Sequence, residues 1–532
     1  MVLGSPGAEP SARSSALVGM AVAALRAGNV VQARQMLNDR LAQDPTDANA
    51  LAILADIASG QQSIEEATIL LQRAVAADPS PQRRLALIDH LRQHGAPALA
   101  LDQLEQLPQD VREEFEVRIM EAAVVAALGL HERQIKIYRA MLRNCPSATG
   151  LWVSLGNVLN TVGRSAEAAK SLARAVRSEP TCGQAYWALA NLKSFRFSNR
   201  ELVQMRSVLR QKLSDQDSLN IHFALGKAYE DRGDYEESFH HYSQANAIRW
   251  KEFGSDRIAV SALVDESIAA FTPEFFARNA DSGCPEEGPI FVLGLHRSGS
   301  TLIEQILASH SLVEGTTELV VMKSIRDRLT RTTGKSAPSA IAELKPSEFR
   351  RIGEEYLERT RPFRKTDRPY FVDKLPGNWT SLALIRVALP KARIIDARRH
   401  PMACGFSNFK QNYASGVGFS YSLPAIGSYY RDYWRLMRHF DAVQPGVVCR
   451  MINEQLIDDP PSQVRRMLDH LGLPFEASCL EFYKTDRAVR TPSAEQVRRP
   501  INRDGVDLWR HYERWLGPLR DNLGPALADW AE

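Results

Sequence analysis

Four prolines set the frame for the first half of the chain. Pro45 and Pro79 stand 34 residues apart, Pro146 and Pro180 again 34 apart, and 67 residues, close to two periods, separate Pro79 from Pro146. A period of this length, closed each time by a residue that cannot continue a helix, restricts the segment to a stack of helical hairpins. One hairpin of this size has no core of its own. Its apolar face is covered only by its neighbours, so the segment must fold as an array.

The unit that ends at Pro180 carries Trp152, Leu155, Gly156, Ala168 and Ala175. The period and these positions resemble the tetratricopeptide repeat. Gly156 and Ala168 are expected to let two antiparallel helices approach. Trp152 and Leu155 should fill the gap between units, and Pro180 should end one helix and start the next. Leu225 to Ala245 reads as another unit, with Gly226, Tyr229 and Tyr242, while Ala33, Ala67 and Ala74 keep the small positions of more degenerate ones. We expect about six or seven units over residues 15–250, behind a loose tail at 1–14. Such an array either binds a peptide or protein partner on a concave surface or only supports the second half of the chain, and the sequence leaves both readings open.

The whole chain has 532 residues, 44% hydrophobic and 24% charged, which fits several soluble domains. A net charge of +3 gives no case for a general nucleic-acid binder. Six cysteines without a C-x-x-C pair point to a reducing compartment. With no apolar run of about twenty residues and no basic-then-apolar leader, the expectation is a cytoplasmic protein without a membrane span. The Ala- and Arg-rich composition suggests a bacterial chain. The oligomeric state is not legible.

Helical periodicity gives way at a connecting helix and linker over residues 251–287, ending in the polar, turn-rich Asp281 to Gly288. Ile290 to Leu293 then reads as a buried parallel strand. It runs into Gly294-Leu-His-Arg-Ser-Gly-Ser-Thr301 and an amphipathic stretch with Leu302, Ile303, Ile306 and Leu307 on one face. Strand, glycine loop and helix make an anion site from backbone N–H groups and a helix N-terminus. Gly294, Gly299 and Thr301 have the spacing of a nucleoside-triphosphate loop, but Ser300 stands where its lysine belongs, and Arg297 supplies the positive charge from inside the loop. A kinase-type reading also lacks a clear metal-binding carboxylate: Asp396 ends a strand, but Arg398 and Arg399 follow at once.

Arg297 to Thr301 resembles the 5′-phosphosulfate loop of the sulfotransferases, whose donor is 3′-phosphoadenosine-5′-phosphosulfate (PAPS). Three further segments, in family order, extend the resemblance over residues 288 to about 525. Ala392 to Ala397 reads as a strand leading to Arg399 and, eight residues on, Ser407, which the resemblance assigns to the 3′-phosphate; a guanidinium and a hydroxyl suit that dianion. Tyr370 to Pro376 carries Lys374 where protein-tyrosine sulfotransferases and their bacterial relatives have a lysine on the phosphosulfate bridge. Thr491 to Asn502 resembles the loop that closes over the nucleotide, which makes Ser493 a candidate for a sulfate or bridging-oxygen contact and puts Gln496, Val497 and Arg498 along the nucleotide.

The implied fold is an all-α tetratricopeptide solenoid followed, at 288–528, by an α/β three-layer domain with a central parallel sheet. The implied cofactor set is PAPS as co-substrate and no metal; the spaced pair His90 and His94 lacks the glutamate of a zinc motif and reads as repeat surface. Ser298, Gly299, Ser300 and Thr301 would cradle the phosphosulfate beside Arg297. Glu318 lies 21 residues after Arg297, the offset at which the protein-tyrosine branch has its catalytic glutamate, so the resemblance makes it the expected base, with His296 and His400 as second choices. Leu319, Val320 and Val321 stand where the tyrosine-specific branch has arginines, Asn453 stands where it has a tyrosine, and Leu508 where a basic residue is expected, which argues against that branch's acceptor. The alternatives carried forward are a repeat scaffold with an inactive transferase-like domain and a P-loop phosphotransferase.

Overall fold

The computed structural model describes residues 9–61, 63–192, 194–253, 260–316, 318–413, 417–485, 487 and 496–531. It divides into two compact units, Met1–Pro146 and Ser147–Glu532. The first is helical throughout. Its helices pair as Glu9–Arg26 with Val30–Gln43, Ala48–Gly60 with Ile64–Ala77, Pro81–Gln93 with Pro97–Glu105, and Phe115–Ala127 with His131–Asn144. The first helix takes in residues that the sequence reading gave to a tail. Asp47 caps the helix after Pro45, its side chain accepting from Asn49 N and Ala50 N at 3.0 Å each, so the turn both ends one hairpin and starts the next. The small residues Ala33, Ala67 and Ala74 are buried among Leu37, Leu51, Leu54 and Leu71, which is what a repeat of close-packed helices requires.

The second unit opens with three more helix pairs. Thr149–Thr161 packs on Ser165–Ser178, Gly183–Asn191 packs on the later helix Asp215–Glu230, and Asp215–Glu230 packs on Tyr235–Phe253. Gly156 and the buried Ala168 do permit the approach, and the side chain that Gly156 admits is that of Leu172: a Cβ at 156 would lie 2.6 Å from Leu172 Cγ. Gly226 admits the ring of Tyr242 in the same way. Pro180 lies in the turn between Ser178 and Gly183. It ends a helix without starting the next, because the following helix begins three residues later.

A five-stranded parallel sheet follows, in the order β2-β3-β1-β4-β5. Its strands are β1 (Pro289–Gly294), β2 (Val313–Gly315), β3 (Tyr370–Lys374), β4 (Arg393–Arg398) and β5 (Val448–Ile452). Alternation along β1 explains the layers. Ile290 and Val292 pack on one side with Ile303, Ile306, Met467 and Leu468, while Phe291 and Leu293 pack on the other with Tyr356, Ile385 and Tyr433. That second cluster also takes in Leu219, Phe223, Tyr242 and Ala245 from the last helix pair, so the final repeat and the sheet share one core. From β1 the chain builds β2 and β3 on one side of it and then crosses to β4 and β5 on the other. Reversals of this kind open a crevice at the carboxyl ends of the strands. Register places Gly294 beside Ala397 and Val292 beside Lys374, so the ends of β1, β3 and β4 face that crevice together.

Candidate active site

The loop after β1 is wound against ordinary backbone preference. Gly294 has φ +135°, Arg297 φ +68° and Gly299 φ +97°, and Arg297 is the one non-glycine residue with positive φ among the described residues. A side chain at Gly294 would come within 2.3 Å of Ala397 O, and one at Gly299 within 2.5 Å of Asn453 Oδ1. Both glycines are therefore required by space as well as by conformation. The helix Ser300–Ala308 starts directly on this turn, and its first N–H groups have no intrahelical acceptor. Ser298 folds inward, its Oγ donating to Leu295 O at 2.7 Å, so it shapes the loop instead of presenting its hydroxyl to a ligand.

A cavity of about 540 Å³ lies over this loop, lined by Arg297, Gly299, Ser300, Thr301, Glu318, Lys374, Arg399, Ser407, Gln496 and Val497 among others. These residues come from segments up to two hundred positions apart. Arg297 Nε donates to Ser407 Oγ at 3.1 Å, which joins the loop to the helix Pro401–Phe409. Arg399 donates from Nη1 to Arg297 O at 3.2 Å and from Nη2 to Gly505 O, and its buried Nε has no partner among the described residues. Burial also holds its guanidinium below the usual arginine range. Lys374 is 2% exposed and forms an ion pair with Glu318, which is 45% exposed on the cavity side. Seven basic side chains line the cavity against four acidic ones.

Several expectations need correction. Arg498 does not line the cavity; its Nη2 donates to Thr161 O and Arg487 O, both at 3.0 Å, because the closing segment leans on the repeat helix Thr149–Thr161. His400 is stacked on Trp509 with ring centroids 5.2 Å apart and lies outside the cavity lining, so it is not placed to act as a base. His296 does line the cavity, but burial pulls its pKa down to about 4, and its ring lies against Tyr413 and Phe419. Ser493 lies outside the described residues. Asp396 is spent in a buried ion pair with Arg398 at 2.7 Å and accepts from Tyr433 as well.

Sequence reasoning missed the far wall. Arg196, Lys227, Glu230 and Asp231, all from the helical repeats, line the same cavity. Lys227 pairs with Asp231, Arg196 lies 3.5 Å from Asp231, and Glu230 holds Lys410 at 2.8 Å. Tyr512 Oη, 2.9 Å from Ser238 Oγ, also donates to Glu230 at 3.3 Å. A charged cluster at the end of one repeat helix was the available signal, but a solvated helix end gives the same pattern. Glu304 and Arg487 were missed too: they pair at 2.6 Å beneath Lys374.

Residues 289–477 match the sulfotransferase family and residues 18–80 match the tetratricopeptide repeat. An uncharacterized protein of Aquifex aeolicus (strain VF5) is 31% identical over 388 residues, 71% of this chain and 50% of that protein, so the chain spans half the length of this curated relative. The sulfotransferase domain of the Synechococcus PCC 7002 olefin synthase is 22% identical over 42% of this chain and 88% of its own, with a TM-score of 0.32. A sulfotransferase from Mycobacterium avium is 13% identical over 61% of this chain and 97% of its own, with a TM-score of 0.27. At these scores the structural likenesses add nothing to the assignment, which rests on the sequence matches. Among the described residues no helix is long and apolar enough to cross a membrane. The glycine loop and the strand-end arginine lie in the segment that is similar to the sulfotransferase family, and the first helical hairpins lie in the segment that is similar to the tetratricopeptide repeat.

Proposed function

We propose that the domain after residue 288 transfers a sulfuryl group from PAPS to a hydroxyl acceptor. One observation carries the reading: Arg297 with its glycine loop, Arg399 with Ser407, and the Glu318–Lys374 pair converge on a single cavity. The residues fit the donor. Arg399 keeps a buried Nε without a described partner, and the loop leaves a cradle at Gly299 that a Cβ would fill. Arg399 and Ser407 would hold the 3′-phosphate, Arg297 and the loop backbone the phosphosulfate, and Gln496 and Val497 the nucleotide. The preponderance of basic lining suits a ligand with several negative charges.

Bound PAPS supplies an already activated sulfuryl group, whose transfer to the acceptor oxygen breaks the sulfate–phosphate bridge and releases adenosine 3′,5′-bisphosphate. Glu318 is the best placed base, since its carboxylate faces the cavity and can take the acceptor's proton. Lys374, fixed almost without exposure, presents an ammonium to negative charge gathering on the bridging oxygen. Arg297 reaches the same space from the loop that follows the neighbouring strand β1. The acceptor is a peptide tyrosine, a glycan or a small molecule. The repeat residues in the cavity wall support a peptide or protein acceptor held partly by the repeats.

Calorimetric titration with adenosine 3′,5′-bisphosphate tests the reading. Micromolar binding by the wild type that is lost in Arg297→Ala and Ser407→Ala, with ATP not bound, supports it and justifies an acceptor screen with labelled PAPS. A folded wild type that ignores the bisphosphate leaves the inactive scaffold, and one that binds ATP instead leaves the phosphotransferase.

A further inference from the structure

Lys374 is held by two carboxylates, and only one of them faces the cavity. Besides its contact with Glu318, its Nζ lies 3.8 Å from Glu304 Oε2. Glu304 is 4% exposed and is not part of the cavity lining. It stands on the helix Ser300–Ala308, five residues beyond Gly299, and its other oxygen, Oε1, takes Arg487 Nη2 at 2.6 Å. Arg487 in turn donates to Thr316 O at 2.7 Å, two residues before Glu318. One buried carboxylate thus touches groups from the glycine-loop helix, from the end of β3 and, through Arg487, from the segment that carries Glu318.

This arrangement answers a difficulty in the proposed chemistry. A carboxylate engaged by Lys374 is poorly free to accept a proton from the acceptor, and a carboxylate that has accepted one no longer balances the lysine's charge. A buried ammonium left without a counter-ion is strongly disfavoured and loses its proton. The neighbouring Asp373 does not fill the gap, because burial pushes its pKa up to about 8 and it is neutral at pH 7. We propose that Glu304 is a positioning residue that retains Lys374, charged and in place, when Glu318 turns from the lysine to the acceptor. The proposal rests on the transferase reading for its role in turnover, but the charge-holding it claims is a property of the protein alone.

The test is Glu304→Gln, which keeps shape and removes charge. Two readouts apply. In the ligand-free protein, Lys374 should react faster with an amine-directed acylating reagent in the variant than in the wild type, followed by mass spectrometry across pH 6 to 9, where Asp373 and His296 are the other near titratable groups, Arg487 is the near guanidinium, and burial raises the pKa of Tyr356. In turnover, kcat should fall by about 10- to 100-fold, the range for partners that support a catalytic group from behind, while bisphosphate affinity stays within about threefold. Because Glu304→Gln leaves Arg487 without its carboxylate, Glu304→Gln/Arg487→Met removes both charges and should reproduce both effects. Restoring a permanent charge with Lys374→Arg in the Glu304→Gln background should recover part of kcat. Wild-type labelling of Lys374 in both variants overturns the proposal. Faster labelling in a protein that binds no bisphosphate and transfers nothing would instead leave the charge-holding intact and reject the transferase reading.

Discussion

The carboxyl group next to Lys374 in the chain, that of Asp373, is governed by its burial. Asp373 is wholly buried, accepts from Tyr356 Oη at 2.7 Å, and has no described partner for Oδ1; burial is the main cause of its raised pKa, with the charge of Glu304 adding to it. The consequence for stability has a definite sign. Between about pH 4 and 8 the unfolded chain has released this proton and the folded protein has not, so raising the pH in that window favours unfolding by up to about 1.4 kcal/mol per unit. The group's contribution is fully present below pH 4 and is lost as pH rises toward 8. Asp373→Asn removes the titration. In urea melts at pH 5 and pH 7.5, the variant should therefore gain on the wild type by at least about 1 kcal/mol at the higher pH. Parallel curves would mean that Asp373 is ionised in the folded protein. None of this was legible in the sequence, where Asp373 is one more acidic residue before a lysine and nothing marks it as dry.

Helices and strands were more readable than their contacts. The proline period located the hairpins, and the apolar runs located β1, β3 and β4 to within a residue or two, because both signals are local. Which side chain meets which glycine is not local. Gly156 faces Leu172, a residue that the repeat pattern did not single out. Gly156→Ala should cost about 1–3 kcal/mol in chemical denaturation despite alanine's better helix propensity, since Leu172 Cγ lies 2.6 Å from the new Cβ. Leu172→Ala makes room, so the double variant should lose clearly less than the two single losses combined. Strict additivity would show that the helices separate freely at this point.

At the scale of the molecule, Ser147–Glu532 is one compact unit, and its first helices share a core with the parallel sheet. The joint is polar as well as apolar: Asn246 Nδ2 donates to Phe409 O at 2.7 Å, Asn412 Nδ2 to Asn220 Oδ1 at 2.8 Å, and Lys410 pairs with a Glu230 that is only 8% exposed. Lys410 ends the helix that carries Ser407, so the pair also sets one edge of the cavity. Breaking a buried pair from one side leaves a stranded charge, at roughly 3–5 kcal/mol. Glu230→Gln and Lys410→Met should each lower the denaturation midpoint of the full chain, and the double variant should recover most of the loss. Two additive losses would mean that the charges do not depend on each other.

The sequence alone determined that hairpins of a fixed period precede a parallel sheet and that a lysine-free glycine loop ends its first strand, and its motifs singled out Arg297, Lys374, Arg399 and Ser407, which line one cavity. Periodicity, turn-forming residues and short motifs are written in neighbouring positions, so they survive without a structure. Only the tertiary structure decided that Arg498 and His400 leave the site, that repeat residues Lys227 and Glu230 enter it, and that Glu304 lies under Lys374. Those outcomes depend on burial and on distances between segments tens to hundreds of residues apart, and such quantities exist only once the chain has closed on itself.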